Sequence, residues 1–346
     1  MAATLKQIAR EVGVNPSTVS RVLNGAGGGS ISESVRRRVE DVSRRLGYQV
    51  NAAAQSLARG ATNCVGVLVP DLMDPVLAEY VSRLDLLLRE HNLQAIPLIS
   101  GMEEQRGQWC LRAVQRGQVD AIICLTCEDG LIDAVCELQD QGYPIVVRCI
   151  DRPIDELPFD SVGIDIADAY EVLMVHLADQ GSRSIGLVGG IAVKEMSEGV
   201  FKHQASGHVK AACQKIGMSF DRKRFIACQQ TAEDACRAVM AALADQEMAF
   251  DGLIVQSTRL LPGVLAALRA SGRKLPADCR LACISDSDIC RYSEVPVTVW
   301  DQPVEKICSG LVKLLLARMQ GEKRVRHVQY ASHLIVRNST SSTSNA

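Results

Sequence analysis

Polar side chains near the start of the chain are suited to binding a polyanion. Asn15, Pro16, Ser17 and Thr18 are followed by Arg21, and the stretch around them holds almost no acidic residues. Hydroxyl groups and a guanidinium donate hydrogen bonds to phosphate oxygens and base edges, whereas carboxylates would repel DNA. The pattern therefore favours DNA binding over the solvated face of an ordinary helical bundle.

A second set of polar residues follows short apolar runs in the rest of the chain. In an open parallel sheet, ligands bind beyond the carboxyl ends of the strands. The segments that would line such a site are Asp71 to Asp74, 126–128, Asp151-Arg152, 190–194, Ser257-Thr258 and Ser285-Asp286. A few convergent polar groups of this kind predict a small-molecule site.

Signals for catalysis or metal binding are weak. Cys124 and Cys127 form a CxxC pair, but no second pair at zinc spacing accompanies them, so we expect core packing. The same applies to Cys279 and Cys283. The six histidines form no catalytic or metal-binding pattern, and we expect His176 to be a satisfied core residue. No Gly-x-Ser-x-Gly elbow is present. We therefore expect a protein that is not an enzyme and requires no metal and no cofactor.

Three short helices would position the first set of polar residues. Thr4 is a suitable N-cap for a helix through Val12, and Asn15 precedes a helix that starts at Pro16 and runs to about residue 24. Ser32 would cap a third helix, whose apolar residues recur at helical spacing: Val35, Val39, Val42 and Leu46. Two helices joined by a short turn and braced by a third form a helix-turn-helix.

The second set requires alternating strands and helices. Strands are predicted at 65–69, 94–99, 121–125, 145–149, 185–188, 252–255 and 281–284, with helices at 75–91, 167–180, 204–216 and 260–270 between them. Such alternation gives α/β architecture with parallel sheets. About 280 residues are more than one sheet of this kind needs, so we expect two lobes.

Charge is distributed unevenly along the 346 residues. Residues 1–60 carry nine Lys/Arg against four Asp/Glu, a net +5, whereas the remainder carries 29 against 36, a net −7. Only the N-terminal region is therefore expected to meet a polyanion. We found no apolar run of about 18 residues that could span a membrane, and no signal peptide. Thirteen scattered cysteines suit the reducing cytoplasm.

The run TLKQIAREVGVNPSTVSRVLNG, followed by SISESVRRRVEDVSRRLGYQVNAAAQSLARG, resembles the LacI/GalR (lactose-repressor/galactose-repressor) family of bacterial transcription regulators. Later matches are QGYPIVV, DQGSRSIGLVGG, DGLIVQSTRLLPGVLAALRASGRKLP, LACISDSD and VPVTVWDQP. The resemblance implies a periplasmic-binding-protein-like body whose two lobes hold a ligand between them. It also implies that Pro16 and Ser17 determine specificity, that Arg21 reads guanine, and that Thr4, Asn15, Thr18 and Asn24 help to contact DNA.

The resemblance also assigns residues 51–59, NAAAQSLAR, to a hinge helix that folds on operator DNA. Leu57 would enter the minor groove, with Ala54 one turn earlier and Asn51 at the start of the segment. The alternative is that Leu57 belongs to the core of the body. Val50 stands where the family usually has proline, which loosens the start of the hinge.

The effector contacts of the family are only partly kept. Asp286 matches an aspartate that accepts sugar hydroxyls, whereas Gln204 stands where the family has an arginine. Losing that arginine removes a bidentate clamp for an anion. We expect a neutral sugar-like effector, with a sugar acid or a sugar phosphate held by Arg152 as the rival and loss of effector control as a third possibility. The remaining expected contacts are Asp71, Asp74, Asp151 and Ser257.

These observations predict four segments. They are a DNA-binding domain (1–49), a hinge (50–62), a two-lobed effector and dimerisation domain (63–338) and a disordered Ser/Thr-rich tail (339–346). We expect a cytoplasmic homodimeric repressor of carbohydrate-utilisation genes that binds a palindromic operator in double-stranded DNA. The alternatives are a sugar sensor that acts through protein contacts without DNA binding, and an enzyme of sugar metabolism. The basic N-terminal region argues against the former and the missing catalytic residues against the latter.

Overall fold

The computed structural model describes residues 3–23, 31–48, 60–100, 104–126, 129–149, 157–164, 166–190, 204–219, 221–245 and 250–341. The chain divides into two compact units, Met1–Thr62 and Asn63–Ala346, which we call the head and the body. Within the described residues no helix is both long and apolar enough to cross a membrane.

The described residues of the head form three helices, α1 (Leu5–Val12), α2 (Pro16–Leu23) and α3 (Glu33–Arg45). Their apolar faces meet in a small core of Ile8, Ala9, Val12, Val19, Val22 and Val39. Gly13 ends α1 in the left-handed conformation, with φ of 76°, which allows the chain to turn sharply into α2. The predicted helix-turn-helix geometry is thereby confirmed.

The body contains two six-stranded sheets, and each defines one lobe. The sheet of lobe 1 is entirely parallel, in the order β11-β5-β4-β3-β1-β2. Its strands are β1 (Cys64–Val69), β2 (Gln94–Ile99), β3 (Ala121–Cys124), β4 (Ile145–Cys149), β5 (Ser161–Gly163) and β11 (His327–Gln329). The helices that accompany them are α4 (Pro75–Arg89), α5 (Glu104–Leu111) and α6 (Asp129–Asp140).

The sheet of lobe 2 has the order β12-β10-β9-β8-β6-β7, and only β12 runs antiparallel. Its strands are β6 (Ile185–Gly189), β7 (Phe225–Ala227), β8 (Gly252–Val255), β9 (Arg280–Ile284), β10 (Thr298–Asp301) and β12 (His333–Ile335). The helices of this lobe are α7 (Ile166–Asp179), α8 (Gln204–Lys215), α9 (Ala232–Ala244), α10 (Leu261–Ala270) and α11 (Asp288–Tyr292).

The chain passes between the lobes three times. It leaves lobe 1 after β5, returns after β10 through α12 (Val304–Met319), and crosses again between β11 and β12. Helix α12 packs on α4 and on β3, β4 and β5, so it belongs to lobe 1. Multiple crossovers of this kind are typical of two-lobed folds that close by hinge motion.

The C-terminal segment differs from the prediction of a disordered tail from residue 339. Ser339 and Thr340 are buried, and the Ser339 hydroxyl donates to the Leu281 carbonyl oxygen at 2.5 Å. Thr340 lies 2.8 Å from Nε2 of His176, which confirms the expectation that this histidine is satisfied. The prediction of disorder was wrong for these two residues because it rested on polar composition alone. Their hydroxyl groups form hydrogen bonds with a buried backbone carbonyl and with the His176 imidazole. Residues 342–346 lie outside the described part of the chain.

Candidate functional site

Helix α2 exposes the side chains that the sequence assigns to DNA. Asn15, Pro16, Ser17 and Arg21 are exposed and Thr18 is half-buried, while Val19 and Val22 face the core. Asn15 caps the helix, because its Oδ1 accepts hydrogen bonds from the Ser17 amide at 3.0 Å and the Ser17 hydroxyl at 2.9 Å. The geometry thus presents one hydroxyl-rich, cationic helix face.

Thr4 and Arg21 are both held by local hydrogen bonds in the head. Thr4 forms a capping box with Gln7, in which the Thr4 amide donates to the Gln7 side chain at 2.8 Å. Arg21 Nε donates to the Ser17 carbonyl oxygen at 3.4 Å, so its guanidinium lies along the exposed face of α2. Both residues therefore have defined positions at the surface.

Several predicted site residues lie outside the described part of the chain. They are Asn24, Asn51, Ala54, Leu57, Asp151 and Arg152. Gln204 begins α8, but its side chain is not among those described. The hinge prediction and three of the seven predicted effector contacts, Asp151, Arg152 and Gln204, therefore stay predictions.

Three predicted effector residues meet at a contact between the lobes, which we call the interlobe latch. Asp71 of lobe 1 forms an ion pair with Arg259 of lobe 2, and Ser257 donates to Asp74 Oδ2 at 2.9 Å. Both carboxylates also accept hydrogen bonds from nearby backbone amides. Asp71 Oδ1 accepts from the Met73 amide at 2.7 Å, and Asp74 caps α4 through the Val76 amide at 2.9 Å. The sequence predicted Asp71, Asp74 and Ser257 at this edge of the sheets, but no sequence pattern indicated Arg259 as their partner.

Asp286 lies at the carboxyl end of β9, as predicted, but its carboxylate is already engaged. Arg337 donates to both carboxylate oxygens, at 2.9 and 2.7 Å, and Arg291 Nε donates to Oδ2 at 2.9 Å. Burial would raise the pKa of Asp286, but the hydrogen bonds from Arg337 and Arg291 outweigh it and hold the pKa below 3.8. Asp286 is therefore part of a charge cluster, a role that the sequence did not suggest.

A buried hydrogen-bond network joins the two lobes at the β10–α12 crossover. Gln302 Oε1 accepts from the Tyr80 hydroxyl and from Arg148 Nη2, both at 3.1 Å, and Gln302 Nε2 donates to the Ser285 hydroxyl at 2.5 Å. Ser285 adopts a positive φ of 76°, which a non-glycine residue accepts only under structural constraint. We call these four residues the Gln302 network.

A cavity of about 290 Å³ adjoins the Gln302 network. Lobe 1 contributes Val76, Glu79 and Arg83 from α4, and lobe 2 contributes Ser285, Asp286 and Arg291. Glu79 and Arg83 are paired across one helical turn at 3.4 Å. The cavity is thus bounded by both lobes and by polar groups, as a ligand site between lobes requires.

Two models of protein families match the chain. Residues 4–51 match the model described as bacterial regulatory proteins, lacI family, and residues 174–340 match a periplasmic binding protein-like domain. The transcriptional regulator PtxS of Pseudomonas putida is 31% identical, with 97% of this chain and 96% of that protein covered. The transcriptional repressor CytR of Escherichia coli is 27% identical over 98% of this chain and 96% of its own length.

Solved structures show the same fold. A lac repressor dimer bound to operator and the anti-inducer ONPF matches with a TM-score of 0.80 at 20% identity, over 98% of this chain and 99% of that one. A complex of the transcriptional regulator CelR with cellobiose matches with a TM-score of 0.67 at 24% identity, over 97% of this chain and 99% of that one.

A helix-turn-helix head followed by a two-lobed ligand-binding body defines a class of DNA-binding regulators. The exposed face of α2 and the polar cleft of the body are the parts that such a regulator requires. The chain belongs to the LacI family of bacterial regulatory proteins, as the sequence resemblance implied. It is a transcriptional regulator and not an enzyme.

Proposed function

We propose that this protein binds a palindromic operator as a homodimer and that a sugar-like molecule bound between its lobes alters operator affinity. The exposed, cationic face of α2 carries the DNA-binding half of the proposal. The operator and the dimer of the lac repressor structure, and the cellobiose of the CelR structure, support transfer of these properties to this chain.

The dimer explains how a small head reaches high specificity. One recognition helix contacts few base pairs, whereas two heads related by a twofold axis would occupy adjacent half-sites about 34 Å apart. The proposed hinge, with Leu57 as its minor-groove wedge, would select deformable sequence at the centre of the operator. We propose repression of carbohydrate-utilisation genes in the cytoplasm as the setting.

The direct test is the base preference of the Arg21→Ala variant. A duplex pool with random half-sites is selected first with the wild-type protein, and affinities for single-base variants of the selected operator are then measured. Because a bidentate arginine–guanine contact contributes about 1–3 kcal/mol of discrimination, we expect the preference at one guanine per half-site to fall roughly 5- to 150-fold.

Arg37→Ala is the matched control, because Arg37 lies exposed on α3 and pairs with Glu33 at 3.2 Å. This variant should keep the wild-type base preference. A uniform loss of affinity across all sequences in Arg21→Ala would mean that Arg21 contacts only phosphate. Affinity that does not decline with salt in the wild-type protein would contradict DNA binding by the head.

A further inference from the structure

Arg148 is a charged residue in an otherwise apolar buried strand. All five residues of β4 are buried, and Arg148 itself is only 5% exposed. The strand belongs to the parallel sheet of lobe 1, and Arg148 is its next-to-last residue, at the carboxyl end. This is the edge at which open α/β sheets bind their ligands.

Within the described part of the chain, the guanidinium of Arg148 contacts neutral groups only. Nη1 donates to the Leu125 carbonyl oxygen at 2.8 Å, Nη2 donates to Gln302, and the carbon of the guanidinium lies 4.6 Å from the centre of the Tyr80 ring. Nε is buried and has no hydrogen-bond partner. Among the described residues, no carboxylate lies within ion-pair distance of Arg148.

Two partly buried arginines of the body, with side chains 11% and 15% exposed, are arranged differently. Arg318 donates to the buried Asp160 at 2.7 Å, and Arg337 donates to Asp286 at the same distance. Buried charges in proteins are normally paired, because transfer of an unpaired ion from water is strongly unfavourable. An aromatic ring compensates a cation only in part. Arg148 therefore has an unmet requirement for negative charge.

The surroundings of Arg148 leave that requirement open. Four carboxylates line the adjoining cavity, and among the described residues none of them pairs with Arg148: Glu79 pairs with Arg83, Asp286 pairs with Arg291 and Arg337, and Asp301 and Glu305 form no ion pair. Gln302 lies between Arg148 and this cavity, which it also lines. Rotation of the Gln302 amide away from Nη2 would open the Nε–Nη2 edge, the edge that binds carboxylate or phosphate bidentately.

We propose that Arg148 is the anchor for an anionic group of the effector, a carboxylate or a phosphate, at the carboxyl ends of β3 and β4. This inference rests on the proposed role of the interlobe cleft as the effector site and replaces the neutral sugar that the sequence favoured. Binding would exchange the Gln302 amide for the anion and thereby release a link between Arg148 in lobe 1 and Ser285 in lobe 2. Anion binding would therefore act directly on Gln302, the residue that joins the two lobes.

The test compares anions with their neutral parent sugars. The melting temperature of the full-length protein is measured with D-glucose, D-gluconate and D-glucose 6-phosphate, and with the corresponding galactose, ribose and fructose series of sugars, acids and phosphates. We expect stabilisation by about 5 °C at ~100-fold excess over the dissociation constant, by anionic members only. Acids and phosphates in separate arms distinguish the two sources of the anion.

Variants identify the residue responsible. Arg148→Met should abolish the anion-induced shift and Arg148→Lys should keep part of it. Arg89→Met removes the same charge from an exposed side chain that pairs with Asp85 on α4 and does not line this cavity, and should keep the full shift. A shift that survives in Arg148→Met, stabilisation by neutral sugars alone, or no stabilisation by any anion would each overturn the proposal.

A ligand-free measurement tests the same idea independently. Because Arg148 forms no ion pair with any described residue, Arg148→Met should melt close to the wild-type temperature, whereas Arg318→Met leaves Asp160 without its closest cation and should melt well below it. Equal losses in both variants would mean that Arg148 is a structural residue and would refute the proposal. Operator binding is measured on the same preparations. Operator binding that responds to a neutral sugar only would leave the proposed function intact while this inference fails.

Discussion

At the scale of single residues, the Asp286 carboxylate pairs with two arginines that contribute unequally to stability. Its side chain is 3% exposed, that of Arg337 is 15% exposed and that of Arg291 is 48% exposed. An ion pair loses strength as solvent reaches it, while removing one partner of a buried pair leaves an uncompensated charge. The two arginines therefore contribute differently to stability although both lie within 2.9 Å of the same group.

This difference gives a prediction about stability. Arg337→Met should lower the free energy of unfolding by about 3 kcal/mol, since it removes the bidentate partner of a buried carboxylate. Arg291→Met, the matched control, should lower it by less than about 1 kcal/mol. Urea denaturation followed by circular dichroism measures both. Equal effects of the two substitutions would show that burial does not determine the strength of this cluster.

The sequence predicts which residues lie at the cleft better than it predicts which residues contact each other there. Asp71, Asp74 and Ser257 were expected at the cleft because each follows a strand, and the structure brings them together. Arg259, however, pairs with Asp71 across 188 positions of sequence, and no local pattern marks such a partner. Arg148 did carry a signal, since a single charge inside an apolar strand requires an explanation.

At the scale of secondary-structure elements, whether a strand could be predicted from the sequence depends on its length and burial. The seven predicted strands are present because each is a short, mostly apolar run, and six of them lie inside a sheet while β2 forms an edge. No sequence pattern indicated β5, β7, β11 and β12, which have three residues each, or β10, whose four residues include two polar ones. These strands form by pairing with neighbours distant in the sequence, as His327 pairs with Ser161.

Helices α9 and α10 provide a sharp test of packing between elements. Gly263 lies in the first turn of α10, and a Cβ there would overlap the carbonyl oxygen of Ala232 and lie 3.0 Å from the Cys236 amide nitrogen. Gly263→Ala should therefore force the two helices apart and lower the free energy of unfolding by about 3 kcal/mol.

Gly207 in α8 is the control for Gly263, because no atom lies within 4 Å of the Cβ that alanine would add there. Gly207→Ala should raise stability by about 0.5–1 kcal/mol, since alanine loses less backbone entropy in a helix. Chemical denaturation shows whether each substitution raises or lowers the free energy of unfolding. If Gly263→Ala is as stable as the wild-type protein, the close approach of α9 and α10 is not a constraint.

Helix α7 and the C-terminal segment together predict a dependence of stability on pH. Burial lowers the pKa of His176 below 6.5, and the nearby Asp179 opposes this only in part. The unfolded chain then binds the proton more readily than the folded one, so the contribution of His176 is present above pH 6.5 and is lost as the pH falls below that value. The melting temperature should accordingly decline between pH 7 and pH 5.

His176→Gln keeps a hydrogen-bonding side chain opposite Thr340 without a group that titrates in this range. The decline of the melting temperature between pH 7 and pH 5 should be shallower in this variant. His91→Gln, at an exposed position after α4, is the control and should follow the wild-type curve. Parallel curves for wild type and His176→Gln would assign the pH dependence to other groups.

At the scale of the whole body, closure of the lobes depends on contacts at separate places. The Gln302 network lies at the crossover, and the interlobe latch joins the start of α4 to the segment before α10. The latch side chains are only partly exposed, at 22% for Arg259 and 30% for Asp71. A partly buried pair of this kind contributes on the order of 1 kcal/mol, about a fivefold shift between closed and open lobes.

Arg259→Met should therefore increase opening of the lobes by about fivefold, which raises amide hydrogen exchange to a similar extent in residues 71–78 and 257–264. The head and the remaining strands should exchange at wild-type rates. Arg89→Met is the matched control, because Arg89 pairs at 2.7 Å with Asp85 on the same helix and joins no second lobe. Faster exchange in both variants would indicate a general loss of stability. Unchanged exchange in Arg259→Met would mean that the ion pair forms without holding the lobes together, and closure would then depend on the crossover alone.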